Sequence, residues 1–294
     1  MTALAPVLWG TTYLVTTEFL PPDRPLTAGL LRALPAGVLL LVATRVLPRG
    51  AWWWRAALLG TLNIGAFFPL LFLAAYRLPG GVAAVLGGAQ PLIVAALTMA
   101  ALRERVSNRQ IAAAFVALAG VSLVVLRAGA HLDTVGILAG LGGAAAMAAG
   151  VVLTRAWGRP PGVGDLTFTG WQLTAGGLVI APIALLAEGM PTIPSWAALG
   201  GYLWLGLLNT ALGYVLWFRG LRSLQAVQVS LLGTLSPVTA ALLGWVTLSQ
   251  GLTPLQLLGM AVALTGIVAG QLATRPTPAP SAPATRPAPA AIGR

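Results

Sequence analysis

Apolar residues recur along the chain in ten stretches of about 20 residues, the length that a helix needs to cross a membrane. Short polar or proline-containing segments separate them. The pattern predicts ten transmembrane helices, at 3–20, 26–47, 56–77, 80–102, 109–127, 134–154, 167–187, 196–218, 224–248 and 254–273. The first stretch lacks a basic start and a cleavage site, so we expect it to be a retained helix and not a signal peptide.

The placement of arginine predicts the orientation of these helices. With the N-terminus in the cytoplasm, the inner loops and the C-terminal segment hold 13 arginines, and the outer loops hold Arg24, Arg77 and Arg127. Positive charge concentrates on the cytoplasmic side of membrane proteins, so both termini are predicted to be inside. Residues 274–294 are mostly Pro, Ala and Thr and are predicted to form a disordered cytoplasmic tail.

Composition supports the membrane assignment and excludes other classes. Hydrophobic residues make up 57% of the chain and charged residues 8%, against about 25% charged in soluble domains. The net charge of +11 does not indicate nucleic-acid binding, because the arginines are scattered singly and form no basic face. With no Cys and with His131 as the one histidine, the sequence predicts no metal site, no cofactor and no assembled catalytic set.

An internal repeat appears when the chain is aligned with itself. Four matched pairs lie 146 positions apart without a gap: Asn63 and Asn209, Pro91 and Pro237, Gln110 and Gln256, Gly120 and Gly266. The earlier helices align at a different offset, with Arg32 opposite Gln172, 140 positions apart. The chain is therefore predicted to be a duplication, with residues 1–130 and 131–273 as two repeats of five helices and 274–294 as the tail.

Five is an odd number, so the second repeat enters the membrane from the opposite side. The predicted fold class is an all-α integral membrane protein, with ten transmembrane helices arranged as two five-helix inverted repeats, N-in and C-in. Inverted repeats give inward-open and outward-open states of similar energy, which is the geometry of alternating access. A channel or an enzyme has less need of this symmetry.

Several residues of this frame form a recognisable set: Trp9-Gly10, Pro25, Arg32, Pro91, Glu104, Gln110, Gly120, Asn209, Ser236-Pro237, Gln256 and Gly266. These residues resemble the drug/metabolite transporter superfamily, in its ten-helix EamA-type branch. The resemblance covers nearly everything up to about residue 273, and Gln250 departs from it where an acidic residue is usual. It implies an exporter of amino acids, metabolites or drugs with a substrate cavity between the two halves.

Polar and aromatic side chains within the spans are expected to face the bundle interior, since hydrocarbon solvates them poorly. For any single Ser or Thr, a hydrogen bond to a backbone carbonyl or to a neighbouring helix is an equal alternative, and for Tyr76 a role at the membrane surface is favoured. The amide side chains of Asn63, Gln90, Gln172 and Asn209 either bridge helices or line the cavity. The candidates for the substrate cavity are Trp9, Thr12, Tyr13, Thr16, Arg32, Asn63, Tyr76, Gln90, Trp171, Gln172, Asn209, Tyr214, Trp217, Ser230, Thr234 and Ser236.

Arg32 and two prolines carry further hypotheses. The Arg32 side chain either reaches outward to the membrane surface, pairs with Glu18 or binds a substrate carboxylate. Pro91 and Pro237 occupy matching places near the middle of two spans, where each is predicted to kink its helix and to act as a hinge beside a cavity. Kinks that only shape the packing are the alternative.

Taken together, these features predict a transporter that exports small organic solutes, above all neutral or aromatic amino acids and related metabolites. No acid lies near the centre of a predicted span, which favours a gradient-driven facilitator over a proton-coupled carrier that uses Glu18. Alternatives are an exporter of lipophilic cations and a flippase for lipids or lipid-linked sugars. The predicted location is the inner (plasma) membrane of a bacterium; the expected partners are a small-molecule substrate and the lipid bilayer, with no nucleic acid. A monomer is compatible with this prediction.

Overall fold

The computed structural model describes residues 1–78, 85–125, 133–191, 194–248 and 252–273, and within these ranges the chain is helical and contains no β-strand. The helices, numbered in chain order, are α1 (Leu4–Phe19), α2 (Pro25–Thr44), α3 (Trp52–Gly60, Thr61–Ala66 and Phe67–Arg77), α4 (Val85–Ala101), α5 (Asn108–Val125), α6 (Thr134–Trp157), α7 (Asp165–Glu188), α8 (Trp196–Ser223), α9 (Ala226–Gly233 and Leu235–Leu248) and α10 (Pro254–Leu272).

Seven of these helices, α2, α3 and α6 to α10, are long and apolar enough to cross a membrane. Two more, α4 and α5, are apolar but shorter. Helix α1 has 16 residues, which rise about 24 Å and fall short of the roughly 30 Å hydrocarbon layer. The chain is a multi-pass integral membrane protein, while the count of ten spans and their orientation stay predictions.

The predicted boundaries lie within a few residues of the observed ones. Helix α3 begins four residues before its predicted start because Trp52, Trp53 and Trp54 belong to the helix. Helix α2 ends three residues early, at Thr44, where Arg45 adopts a left-handed conformation with φ of 53°. The start of the predicted fourth span at 80–84 and the predicted tail at 274–294 lie outside the described residues.

Matched glycines bring two pairs of helices into backbone contact. Gly120 of α5 lies against Gly259 and Ala263 of α10, and Gly266 of α10 lies against Ala113 and Ala117 of α5. A Cβ at either glycine would overlap the backbone of the partner helix. Helices α2 and α7 form the second pair, in which Gly37 lies against Leu173 and Thr174 and Gly177 lies against Leu34. The repeated glycines are therefore packing positions, in agreement with the small-residue rule for membrane helices.

The matched glutamines Gln110 and Gln256 cap helices. Ser107 and Gln110 at the start of α5 exchange hydrogen bonds between side chain and backbone, and Thr253 and Gln256 do the same at the start of α10. Each pair satisfies backbone N–H groups that a helix start leaves without intrahelical partners. Helix capping therefore accounts for the recurrence of glutamine at positions 110 and 256, with no role in substrate binding needed.

The contacts between helices follow a crossed pattern. Helix α3 packs on α6 and α7, and helix α8 packs on α1 and α2. The third helix of each predicted repeat thus contacts the first two helices of the other. This arrangement places the matched asparagines of α3 and α8 between the helices of the two predicted repeats.

Candidate functional site

The matched asparagines lie in segments of unusual helix geometry. Asn63 belongs to the π-helical segment Thr61–Ala66 of α3, and Asn209 belongs to the π-helical segment Trp204–Leu212 of α8. Both side chains are fully buried. π-Helical turns are rare and occur frequently at functional sites, because the wider turn re-aims side chains that a regular helix would direct elsewhere. The pair therefore marks the centre of the molecule as the candidate site.

Arg32 and Asn209 form the first of two hydrogen-bonded groups at this centre. Arg32 Nε donates to Thr210 Oγ1 at 2.8 Å, and one terminal nitrogen donates to Asn209 Oδ1. Asn209 Nδ2 donates to the Leu8 carbonyl at 2.6 Å and to Thr12 Oγ1 at 3.0 Å. We call Trp9, Thr12, Arg32, Asn209 and Thr210 the Arg32 cluster.

The Arg32 side chain is 6% exposed and its guanidinium carbon lies 4.9 Å from the centre of the Phe68 ring. This burial excludes the alternative in which the side chain reaches the membrane surface. Glu18 is exposed, and the ion pairs found among the described residues do not include Arg32. Among the buried residues of the described ranges, Arg32 is the one that carries a charge. Neutral groups alone hold this cation in a low-dielectric interior, which is costly.

Asn63 anchors the second group. Asn63 Nδ2 donates to Gln172 Oε1 at 2.8 Å and to Thr154 Oγ1 at 3.4 Å, so that α3 is tied to α7 and α6. The Tyr214 hydroxyl of α8 donates to the Asn63 carbonyl at 3.2 Å. We call Asn63, Thr154, Gln172 and Tyr214 the Asn63 cluster. Asn63 Oδ1 and Gln172 Nε2 are buried without a protein partner.

An aromatic contact joins the two clusters. Trp9 Nε1 donates to the Asn209 carbonyl at 2.9 Å, and the Trp9 ring lies 5.1 Å from the ring of Tyr214 and 5.0 Å from that of Trp217. Trp217 Nε1 is a further buried donor without a protein partner. The centre therefore combines amides, hydroxyls, one guanidinium and aromatic faces, which is the chemistry of a site for a small polar molecule with an apolar part.

Three predicted site residues donate hydrogen bonds to backbone carbonyls. Trp171 Nε1 donates to the Val46 carbonyl at 2.8 Å, and its ring packs near Trp52 at one end of the bundle. Ser230 and Thr234 donate to carbonyls of their own helix, Val227 and Leu231, at 2.9 and 2.7 Å. These two hydroxyls follow the alternative in which Ser and Thr satisfy backbone carbonyls.

The structure describes the other candidates less fully. Thr16, Gln90 and Ser236 are half-buried, and Gln90 Nε2 is a buried atom without a protein partner. The side chains of Tyr13 and Tyr76 lie outside the described part of the chain. Helix α4 is interrupted at Ala89, two residues before Pro91, and α9 is interrupted at Thr234, three residues before Pro237. The predicted hinge role of the prolines stays a prediction.

Sequence reasoning missed Phe68, Gly150 and Thr154 as members of the site. The Asn63 amide occupies the space that a Cβ on Gly150 would take. Gly150 therefore allows α6 to approach α3 closely enough for the hydrogen bond between Asn63 and Thr154. Thr210 belongs to the polar stripe of α8 with Tyr214 and Trp217, which predicts that it faces the bundle interior. Phe68, Gly150 and Thr154 have no signal that sets them apart, because phenylalanine, glycine and threonine occur throughout these apolar spans.

Charged side chains tie the helix ends together away from the centre. At one end Asp165 accepts from Arg159 at 2.7 Å and from Arg222 at 3.3 Å, beside a recess of about 320 Å³ lined in part by Phe218 and Leu221. Near the opposite end of α7, the Glu188 carboxylate accepts from the backbone N–H groups of Leu26 and Thr27 at 2.7 and 2.8 Å and caps α2. In the described ranges, no group of three His, Cys, Asp or Glu side chains could hold a metal ion.

This chain is similar to known proteins in both sequence and fold. The model of the EamA-like transporter family matches residues 1–126 and 134–269. Protein PecM of Dickeya dadantii is 48% identical over 264 residues, which cover 90% of this chain and 89% of that protein. A Salmonella typhimurium protein named "Probable amino-acid metabolite efflux pump" is 27% identical, covering 90% of this chain and 91% of its own length. One solved structure shares the fold, with a TM-score of 0.76 and 20% sequence identity over 92% of this chain and 96% of that one. The chain belongs to the EamA-like transporter family.

Proposed function

We propose that this transporter exports neutral or aromatic amino acids and related metabolites by alternating access through a cavity between its two repeats. The observation that carries the proposal is the central meeting of the Arg32 and Asn63 clusters. Amide and hydroxyl groups of both repeats converge there on the rings of Trp9, Tyr214 and Trp217. Such walls suit a small zwitterion with an apolar side chain.

The names of two relatives support the class of substrate. The Salmonella typhimurium protein is named for the efflux of amino-acid metabolites. A Streptantibioticus cattleyicolor protein, 28% identical over 215 residues that cover 72% of this chain and 71% of that protein, is named "Probable terminal-alkyne amino-acid exporter". Both names describe solutes that carry ammonium and carboxylate groups or derive from such solutes.

The crossed packing of the helices supports alternating access. Helices α3 and α8 each hold the first two helices of the other repeat through one asparagine, so a rocking motion of the repeats must exchange these contacts. Two matched sets of contacts related by internal symmetry provide two states of similar energy. The absence of a buried acid from the described ion pairs and clusters favours movement down the solute gradient over proton coupling.

The proposal is tested with purified protein in liposomes. Counterflow of labelled Trp, Phe, Met, Leu and Thr is compared with that of Glu, Arg and a lipophilic cation, each with and without a pH gradient. We expect saturable movement of the neutral amino acids that does not respond to the gradient. If the lipophilic cation or a labelled lipid moves while no amino acid does, the substrate class is wrong and a drug exporter or a flippase replaces it.

A further inference from the structure

The positive charge of Arg32 has no counterpart in the second repeat. The chain alignment places Arg32 of α2 opposite Gln172 of α7, and the structure shows that both side chains hydrogen-bond the matched asparagine of the opposite repeat. Asn209 receives a charged donor from Arg32, whereas Asn63 donates to the neutral amide of Gln172. In the second repeat a neutral amide, Gln172, is therefore sufficient to hold the matched asparagine. The positive charge of Arg32 is not required for this helix contact.

The guanidinium also retains unused capacity. It carries five N–H donors, and the hydrogen bonds to Asn209 and Thr210 use two of them. Both acceptors are neutral, so the charge itself is uncompensated among the described residues. Carboxylates bind such a group through paired, charge-assisted hydrogen bonds that are roughly twice as strong as neutral ones.

From these observations we propose that Arg32 is the receptor for the carboxylate of the transported solute and fixes its orientation in the central cavity. The inference rests on the proposed function and adds the residue that determines specificity. The carboxylate takes the place of Asn209 Oδ1 on the guanidinium, and this exchange loosens the tie between α2 and α8. The rest of the solute lies toward Trp9 and the Asn63 cluster, where aromatic faces accept an apolar side chain.

The direct test compares an acid with its neutral amide of the same shape. Purified protein is titrated with 3-phenylpropionate and with 3-phenylpropanamide, and binding is followed by the ligand-induced rise of the melting temperature. We expect the natural protein to bind the acid at least about tenfold more tightly than the amide, because a hydrogen bond to a charged group exceeds a neutral one by this order. Arg32→Gln should bring the two affinities within about twofold of each other.

Three variants make the result specific to this site. Arg219→Gln removes one positive charge from an exposed position of α8 and should leave the acid preference unchanged. The exchange Arg32→Gln with Gln172→Arg moves the charge to the equivalent place in the other repeat and should restore a preference for the acid. Asn209→Asp supplies an internal carboxylate to Arg32 and should abolish the binding of the acid. This variant tests the same claim if Arg32→Gln does not fold.

The outcomes separate this inference from the proposed function. Retention of the acid preference by Arg32→Gln or by Asn209→Asp would overturn the assignment of Arg32. Movement of neutral amino acids in liposomes by a protein that binds acid and amide equally would leave the function standing and this inference wrong. If the preference for the acid depends on Arg32 but the protein moves no amino acid, the assignment of Arg32 stands and the proposed function is wrong.

Discussion

Arg32, Asn209 and Asn63 show at the scale of single residues how matched positions of the two predicted repeats come to differ. Both asparagines lie in π-helical segments and both tie their helix to two helices of the other repeat. One of them faces a guanidinium and the other faces an amide. The electrostatic surroundings of these two matched side chains therefore differ. A negative charge is stabilised beside the Arg32 cation and is not stabilised in this way beside the neutral Gln172.

This difference predicts unequal effects for the same substitution at the matched positions. Asn209→Asp forms a buried ion pair with Arg32, which offsets the loss of the Nδ2 hydrogen bonds to the Leu8 carbonyl and Thr12. The free energy of unfolding should therefore change by less than about 1 kcal/mol, while export falls at least about tenfold because the carboxylate occupies the guanidinium. Asn63→Asp buries a carboxylate without a cation and should lower that free energy by about 1–3 kcal/mol. Thermal unfolding in detergent and counterflow in liposomes measure the two effects. Equal losses of stability in both variants would contradict the asymmetry.

The sequence allows the prediction of the polar members of the site but not of their partners. Arg32, Asn63, Gln172 and Asn209 stand out because charged and amide side chains are rare in membrane spans. Whether Arg32 reached outward or inward depended on how α2 is rotated about its axis, and that rotation is set by packing against α7 and α8. The same reason explains why Phe68 could not be assigned to the guanidinium from the sequence.

At the scale of helices, the repeated residues divide into capping, packing and site positions. Gln110 and Gln256 cap α5 and α10, Gly120 and Gly266 bring these helices together, and the asparagines build the site. Apolar periodicity and proline-rich loops allow the helices to be predicted within a few residues, because a membrane requires about 20 apolar residues per span. The π-helical segments could not be predicted, since no local sequence rule distinguishes them from regular helix.

The capping role predicts a loss of stability without a change in selectivity. Gln256→Ala removes the side-chain half of the capping box of α10 and the hydrogen bond from Gln256 Nε2 to the Val124 carbonyl. It should lower the free energy of unfolding by about 0.5–2 kcal/mol. Thr265→Ala, on the exposed side of the same helix, serves as the control and should change stability by less than about 0.5 kcal/mol. A change in the order of preferred solutes for Gln256→Ala would assign this residue to the site instead.

At the scale of the whole molecule, the absence of cysteine makes the predicted orientation directly testable. Each introduced cysteine is the single thiol of the protein, and Arg49 and Met190 are exposed positions predicted to lie on opposite sides of the membrane. In intact cells, a membrane-impermeant maleimide should label Met190→Cys and spare Arg49→Cys until the membrane is permeabilised. Labelling of both from outside, or the reverse preference, would contradict the N-in, C-in topology.

The ion pairs of Asp165 lead to a prediction about the closure of the bundle at one end. Arg159 lies before α7 and Arg222 lies at the end of α8, so the single carboxylate holds two helix ends together beside the recess. The pair with Arg159 is half-buried and the pair with Arg222 is more exposed, so Asp165→Asn should lower the free energy of unfolding by no more than about 2 kcal/mol. It should nevertheless shift the balance of states toward opening at this end, since two states of similar energy respond to small differences.

A cysteine at Thr154, which is 4% exposed and lines the recess, should then react with a soluble maleimide severalfold faster. Asp133→Asn, which removes an ion pair with Arg77 at the other end of α6, should leave that rate unchanged or lower it. Equal rates in the natural protein and in Asp165→Asn would show that these pairs do not hold the end closed.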